Sequence, residues 1–192
     1  MRTKKLELPT RAQFVAFVTE MRNVHSRDSQ NCADLVEALA FTGCRIGEAS
    51  HIEWRDLDFA AGEILIKGDP EERTKNGEIR RVPMIPQSKE LFQKMRKARA
   101  SEPGTDKVFL VRKCRKSMDR AADKIAMTRV THHDLRHFFA TVSIESGVDI
   151  PTVSRWLGHK DGGALAMRTY GHLRREHSIA QAQKVSFDPV AA

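Results

Sequence analysis

The hydrophobic pattern of this chain changes its period once, between residues 54 and 85, and that change limits the folds that the chain can adopt. The apolar runs at 64–66 and 79–85 are typical of strands, and a polar segment at 68–77 separates them. The pair Asn76-Gly77 in that segment is typical of a hairpin turn. The sequence therefore predicts one small three-stranded antiparallel sheet, with its first strand directly upstream of residue 64.

On both sides of this stretch the apolar residues recur with helical spacing. Thr10 is followed by Gln13 after three positions, which is the spacing of a capping box at the start of a helix. Asn31 is expected to cap a second helix that ends near Gly43. Further helices are expected at 46–51, 88–100, 112–127, 131–146, 151–157, 163–170 and 174–184. The predicted fold class is therefore α+β, mostly helical, with one small antiparallel sheet.

The composition favours a polyanionic partner and a reducing compartment. The chain has 33 Lys and Arg against 25 Asp and Glu, a formal net charge of +8, and a basic domain gains affinity for nucleic acid by displacing counterions from phosphates. No apolar run reaches the roughly 18 residues that span a bilayer, so no membrane partner is expected. Three widely spaced cysteines indicate neither a disulfide framework nor a zinc site, and a reducing, cytoplasmic compartment is expected.

The segment Thr131–His137 contains the most informative motif. Thr131 and Asp134 have capping-box spacing, so a helix is expected to begin here. His133 and Arg136 then share a face near the helix N-terminus, where unpaired backbone N–H groups attract an anion. Arginine holds two phosphate oxygens at once, and histidine transfers a proton near neutral pH. This pattern indicates a phosphate site, and an ordinary charged helix face is the alternative.

A metal site is the weaker interpretation of the same helix. His133 and His137 are four positions apart, which places them on one face. The helix lacks the glutamate of a zinc-protease motif, and Arg136 lies on nearly the same face, where it would repel a cation.

Three more residues have chemistry that becomes informative only in combination. Arg45 follows the helix-ending Gly43, and His159 follows Gly158 in the same way. Tyr170 is the only tyrosine of the chain, and a phenol attacks only when a base or nearby cations stabilise its phenolate. Taken singly, these side chains have ordinary structural interpretations: a salt-bridge partner, a helix cap and a packing residue.

In combination and in this order, the residues resemble the tyrosine recombinase, or phage integrase, family. The resemblance rests on Arg45, His133-x-x-Arg136, Gly158-His159 and Tyr170 followed by His172, with Trp54, Asp56 and Arg81-Val82-Pro83 in agreement. It implies an arm or linker at 1–9, a catalytic domain at 10–177 and a tail at 178–192 that packs on a neighbouring subunit or on its own domain. Family members usually carry a further N-terminal DNA-clamping domain, and both an excised domain and a natural short form remain open.

The resemblance also implies a role for each site residue. Tyr170 is the nucleophile that forms a 3′-phosphotyrosyl link and releases a 5′-hydroxyl. Arg45 and Arg136 hold the non-bridging oxygens of the scissile phosphate, and His159 adds a hydrogen bond. His133 is the general base for the tyrosine.

A lysine on the hairpin between the second and third strands is the family's general acid. Lys75 fits that place, and Lys67 is the second choice. Because one phosphodiester is exchanged for another, no ATP is required, and the cations replace a metal ion. No cofactor is therefore expected.

The implied partner is double-stranded DNA at a specific recombination site, bound by a homo-oligomer, a tetramer, with accessory DNA-bending proteins as further partners. Two other functions remain as alternatives: relaxation of supercoils by a type IB topoisomerase, and DNA binding without catalysis. The combination of His133-x-x-Arg136 with Gly158-His159 favours a recombinase. The presence of all six expected catalytic residues argues against a binding-only relative.

Overall fold

The computed structural model describes residues 7–24, 26, 28–68 and 79–159. The described helices are α1 (Arg11–Asn23), α2 (Ser29–Thr42), α3 (Ile46–Ala49), α4 (Pro86–Ala98), α5 (Arg115–Lys124), α6 (His132–Glu145) and α7 (Ile150–Leu157). The strands are β1 (Leu57–Asp58), β2 (Glu63–Ile66) and β3 (Arg80–Pro83), and a single 3₁₀ turn (Trp54–Asp56) precedes β1. The mostly helical α+β prediction is confirmed.

The three strands form one antiparallel sheet in the order β1-β2-β3. Ile64 pairs with Leu57 on one side and with Val82 on the other, and Ile66 pairs with Arg80. Ile64, Ile66 and Val82 are fully buried. Because alternate residues of a strand point to the same face, this burial fixes the face that the sheet turns to the core.

Helix α1 begins as the sequence predicts. Thr10 Oγ1 accepts a hydrogen bond from the Gln13 N–H (3.2 Å), and Gln13 Oε1 accepts one from the Thr10 N–H (2.8 Å). These reciprocal bonds satisfy backbone donors that have no partner within the helix. The helix then buries one apolar face, formed by Phe14, Phe17, Val18 and Met21.

The prediction that Asn31 caps α2 is wrong. The helix begins at Ser29, with Asp28 at the N-cap position. Arg22 of α1 donates to Gln30 Oε1 (2.7 Å) and to Asp34 Oδ1 (2.7 Å), so the first turn of α2 is held against α1. These contacts between helices extend α2 upstream of its expected start.

The core of the first part of the chain lies among its helices. Helix α1 packs against α2 and α5, and α2 packs against α4. The Phe14 ring lies 6.0 Å from the Phe41 ring and 5.0 Å from the Phe138 ring, between ring centroids. Such aromatic pairs contribute about 0.5–1.5 kcal/mol each beyond their area burial.

The chain divides into two compact units, with the boundary after Phe139. In the second unit, Asp149 accepts a hydrogen bond from the Thr152 N–H (2.8 Å) and caps α7, and Gly158 ends that helix in the left-handed region (φ 69°). The helix predicted at 151–157 and its end at Gly158 match the structure, while the helices predicted at 163–170 and 174–184 lie outside the described residues. None of the described helices has the length and apolar character to cross a membrane.

Candidate functional site

The start of α6 fixes two of the predicted site residues. The Thr131 N–H donates to Asp134 Oδ2 (2.7 Å), and the Asp134 N–H donates to Thr131 Oγ1 (3.2 Å), so the predicted capping box is present. One turn further on, Arg136 is only 4% exposed and donates from Nη1 to the Gly43 carbonyl oxygen (2.7 Å). Gly43 is the left-handed residue (φ 64°) that ends α2. Arg136 therefore joins α6 to the turn that presents Arg45.

A buried carboxylate organises that turn. Glu48 is 4% exposed, and its oxygens accept hydrogen bonds from the Arg45 N–H (2.7 Å) and from Arg45 Nη1 (3.0 Å). Arg80 of β3 donates to both Glu48 oxygens, from Nη1 at 2.9 Å and from Nη2 at 2.8 Å. This bidentate geometry is the strong form of a carboxylate–guanidinium pair. Glu48 thus holds both the backbone and the side chain of Arg45.

We call Arg45, Glu48, Arg80 and Arg136 the cationic cluster. Its three positive charges and one negative charge give a net charge of +2. Burial alone would raise the pKa of Glu48, but the hydrogen bonds and charge of Arg80, followed by those of Arg45, lower it, so Glu48 is ionised at neutral pH. Burial, followed by the charge of Arg45, lowers the pKa of Arg136 to about 10, although Glu48 raises it. Arg136 remains a cation at neutral pH, and a bound anion would stabilise its charge.

His133 lies at the surface of the same region. Partial desolvation of its ring, followed by the charges of Arg136 and Arg45, lowers the pKa of His133, and Asp134 only partly opposes this. The ring is therefore mostly neutral at pH 7, the state in which imidazole accepts a proton. The rings of His133 and His137 meet edge to face, with 4.6 Å between centroids. Within the described ranges, no group of three or more His, Cys, Asp or Glu residues has the arrangement to hold a metal ion.

The second-choice lysine is already engaged in an ion pair. Lys67, directly after β2, places Nζ 2.6 Å from Asp56 Oδ1. The Asp56 side chain is 3% exposed, and its Oδ2 accepts a hydrogen bond from the Glu53 N–H (3.1 Å). The Lys67 amine is thus tied to the 3₁₀ turn before β1.

The structure brings Arg45, His133 and Arg136 together in the first unit. His159 lies in the second unit, directly after Gly158. Its backbone N–H donates to the Ser154 carbonyl oxygen (3.1 Å). Lys75 and Tyr170 lie outside the described residues.

Two residues of the site, Glu48 and Arg80, were not predicted from the sequence. Glu48 follows Arg45 by three positions, which is the spacing of an N-terminal cap and was a readable signal. Arg80 offered no comparable signal, because its partner is 32 positions away and on a different element. Only the tertiary fold brings the two together.

Removing the Glu48 carboxylate is expected to destabilise the fold. In Glu48→Ala, Arg80, whose side chain is 10% exposed, keeps a buried charge without this partner, and breaking such a pair costs about 3–5 kcal/mol. Urea unfolding at pH 7 measures the free energy. The deficit should shrink as the pH falls below the unfolded pKa of Glu48, because a carboxylate with a lowered folded pKa loses its stabilising contribution in acid.

Glu63→Ala is the matched control. It removes an ion pair with Arg81 that is 3.4 Å long and far more exposed, and such surface pairs contribute about 0–1 kcal/mol. Equal losses in the two variants would contradict a special role for the buried carboxylate.

Comparison with known proteins identifies the family of the chain. A family model described as the phage integrase family matches residues 10–177. Tyrosine recombinase XerC of Lactobacillus leichmannii is 30% identical over 154 residues, which cover 73% of this chain and 50% of that protein. The chain spans about half the length of the curated relatives it matches.

Two solved structures show the same fold. The catalytic domain of bacteriophage HP1 integrase superposes with a TM-score of 0.69 at 21% identity, covering 97% of each chain. The Tn1549 transposon integrase in complex with circular intermediate DNA gives a TM-score of 0.70 at 21% identity, covering 96% of this chain and 69% of that one. The chain therefore belongs to the phage integrase family, and it has the fold of a tyrosine recombinase catalytic domain.

Proposed function

We propose that this chain is the catalytic domain of a site-specific DNA recombinase, which cuts and rejoins strands through a 3′-phosphotyrosyl intermediate. The observation that carries the proposal is the cationic cluster, in which Arg136 keeps a charge at 4% exposure. A cation in such a low-polarity setting attracts an anion more strongly than an exposed cation does. A scissile phosphodiester supplies the negative charge that suits a cluster of net charge +2.

Two arginines of the cluster have complementary access to such a phosphate. Arg45 has a side chain that is 39% exposed, so a ligand can reach its guanidinium from solvent. Arg136 is held in place by its bond to the Gly43 carbonyl. We assign both to the non-bridging oxygens, where preorganised donors stabilise the charge that develops in the transition state. His159 is proposed to add a hydrogen bond to the same phosphate.

The remaining roles follow the order of the reaction. Tyr170 Oη attacks the phosphorus and passes its proton to neutral His133, while the bond from phosphorus to the 5′-oxygen breaks and Lys75 protonates that oxygen. The free 5′-hydroxyl of another strand reverses these steps and releases the tyrosine. The ion pair of Lys67 with Asp56 supports Lys75 as the general acid, because the Lys67 amine already has a partner.

The partners of the whole protein belong to the same proposal. Double-stranded DNA at a specific site is the proposed substrate, and the related Tn1549 integrase structure contains DNA. We propose a homotetramer on DNA, accessory bending proteins and a cytoplasmic, DNA-associated location. The family match to 10–177 supports the division into an arm at 1–9, a catalytic domain and a tail at 178–192.

A nicked suicide substrate tests the proposal. When the short 5′-hydroxyl strand diffuses away after cleavage, a recombinase remains covalently attached to the DNA, and a denaturing gel detects the adduct. We expect the adduct to form equally with magnesium and with EDTA, because guanidinium and ammonium groups supply the positive charge of the site. No adduct on any family-type site would leave the DNA-binding alternative, while relaxation of supercoils without strand exchange would favour a topoisomerase.

The general-base role of His133 predicts a pH dependence of cleavage. Since the pKa of His133 is lowered from 6.5, the ring should be mostly neutral at pH 7, and the single-turnover rate should fall to half its plateau only at a pH below 6.5. At lower pH the ring gains a proton and the rate should fall. His133→Gln should lose this acid limb and about 10²–10⁴-fold in rate. A limb that persists in His133→Gln would assign the titration to another group.

A further inference from the structure

His132, the neighbour of the proposed general base, contacts a second element of the fold. Its Nε2 lies 3.2 Å from Cys114 Sγ and 3.4 Å from the Cys114 backbone nitrogen. Cys114 is the N-cap residue of α5 and is 3% exposed. The pair therefore joins the first residue of α6 to the first turn of α5.

The protonation states of the Cys114 thiol and the His132 ring decide which of them donates the hydrogen bond. Burial raises the pKa of the Cys114 thiol to about 12, so the sulfur carries its hydrogen at neutral pH. Burial, followed by the charges of Arg115 and Lys113, lowers the pKa of His132, which favours the neutral ring. Neutral imidazole has one acceptor nitrogen, and the Cys114 S–H and N–H both lie beside Nε2. The ring hydrogen is therefore expected on Nδ1.

The position of His132 along α6 gives this contact a functional consequence. His133 lies between two cross-element contacts: His132 to Cys114 on one side, and Arg136 to the Gly43 carbonyl on the other. The ends of helices fray unless caps and packing hold them. Loss of the first contact would leave His133 held only from the C-terminal side and by its own capping box.

We propose that His132 is a positioning residue, which accepts a hydrogen bond from Cys114 and so holds the first turn of α6 in the orientation that His133 needs. This role rests on the proposed function. His132 itself does not touch the reacting phosphate. The thiol is not a redox sensor in this proposal, because a buried thiol with a raised pKa is a poor nucleophile.

Cleavage of the nicked substrate by the full chain measures the role. His132→Ala should lower the single-turnover cleavage rate about tenfold, since small errors in geometry are costly in catalysis, while the Kd for DNA stays within about twofold of the parent value. His132→Gln places an acceptor oxygen near the position of Nε2 and should recover most of the rate. His51→Ala removes another half-buried histidine and should cleave at the parent rate.

Nitrogen-15 NMR of the histidine side chains adds a measurement on the parent protein. It depends neither on cleavage activity nor on the folding of His132→Ala. The His132 ring should show the Nδ1–H tautomer at neutral pH, and Cys114→Ala should weaken that preference. An Nε2–H tautomer would overturn the proposal. Equal rates for His132→Ala and the parent, or no recovery in His132→Gln, would also overturn it.

The two proposals fail in distinguishable ways. If the parent chain forms no covalent adduct, the recombinase function fails and the positioning role fails with it. If the parent reacts and His132→Ala reacts equally fast, only the positioning role fails.

Discussion

Tyr170→Phe is expected to abolish the covalent protein–DNA adduct, with a loss of at least about 10⁴-fold in cleavage rate, as for the removal of other catalytic nucleophiles. Phenylalanine lacks the oxygen that forms the bond to phosphorus. Tyr170 is the only tyrosine of the chain, so no second phenol can replace it. Labelled nicked DNA on a denaturing gel measures the adduct, and binding to intact DNA should stay close to that of the parent.

The residue that is bonded to the DNA can be identified independently. Trypsin cuts after Arg168 and Arg174, which isolates a six-residue peptide containing Tyr170. After nuclease digestion, mass spectrometry should find the nucleotide adduct on this peptide alone. An adduct on another peptide, or an adduct that persists in Tyr170→Phe, would exclude Tyr170 as the nucleophile.

Arg136→Lys is expected to lower the cleavage rate by about 10²–10³-fold, the usual cost of losing one preorganised donor to a transition-state oxyanion. The guanidinium has several donors in a fixed plane, so it can bind the Gly43 carbonyl and a phosphate together. An ammonium of the same charge lacks that geometry. The substitution thus removes the guanidinium geometry and keeps the positive charge. The single-turnover cleavage rate at saturating DNA measures the effect.

Stability should change as well, because the Gly43 carbonyl loses a well-placed donor. A buried polar group left without a partner costs about 1–3 kcal/mol, measurable by urea unfolding. Arg22→Lys is the matched control, since Arg22 is also partly buried, in ion pairs with Asp34 and Glu37. Its cleavage rate should equal that of the parent. A parent-like rate in Arg136→Lys would remove Arg136 from the phosphate site.

Local features of the fold were predictable from the sequence because neighbouring residues determine them. The capping boxes at Thr10 and Thr131 and the left-handed glycines 43 and 158 depend on contacts within a few positions. The start of α2 was predicted wrongly because Arg22, on another helix, holds Gln30. A single sequence gives no sign of such a pairing.

The candidate site likewise contains residues that the sequence predicts and residues that only long-range contacts bring in. The family resemblance named Arg45, His133 and Arg136, and their order in the chain was enough to group them. The Glu48–Arg80 pair was not predictable, because its members are 32 positions apart and lie on α3 and β3. Lys75 and Tyr170 remain predictions.

The pairing of β3 with β2 sets the charge balance of the cationic cluster. Arg80 lies opposite Ile66, two positions from the buried Val82 on the same strand. A slip of one residue between these strands would turn Arg80 to the other face and Arg81 toward the first. Glu48 would then lose its bidentate partner. Insertions and deletions within residues 80–83 are therefore constrained by the chemistry of the site as well as by sheet packing.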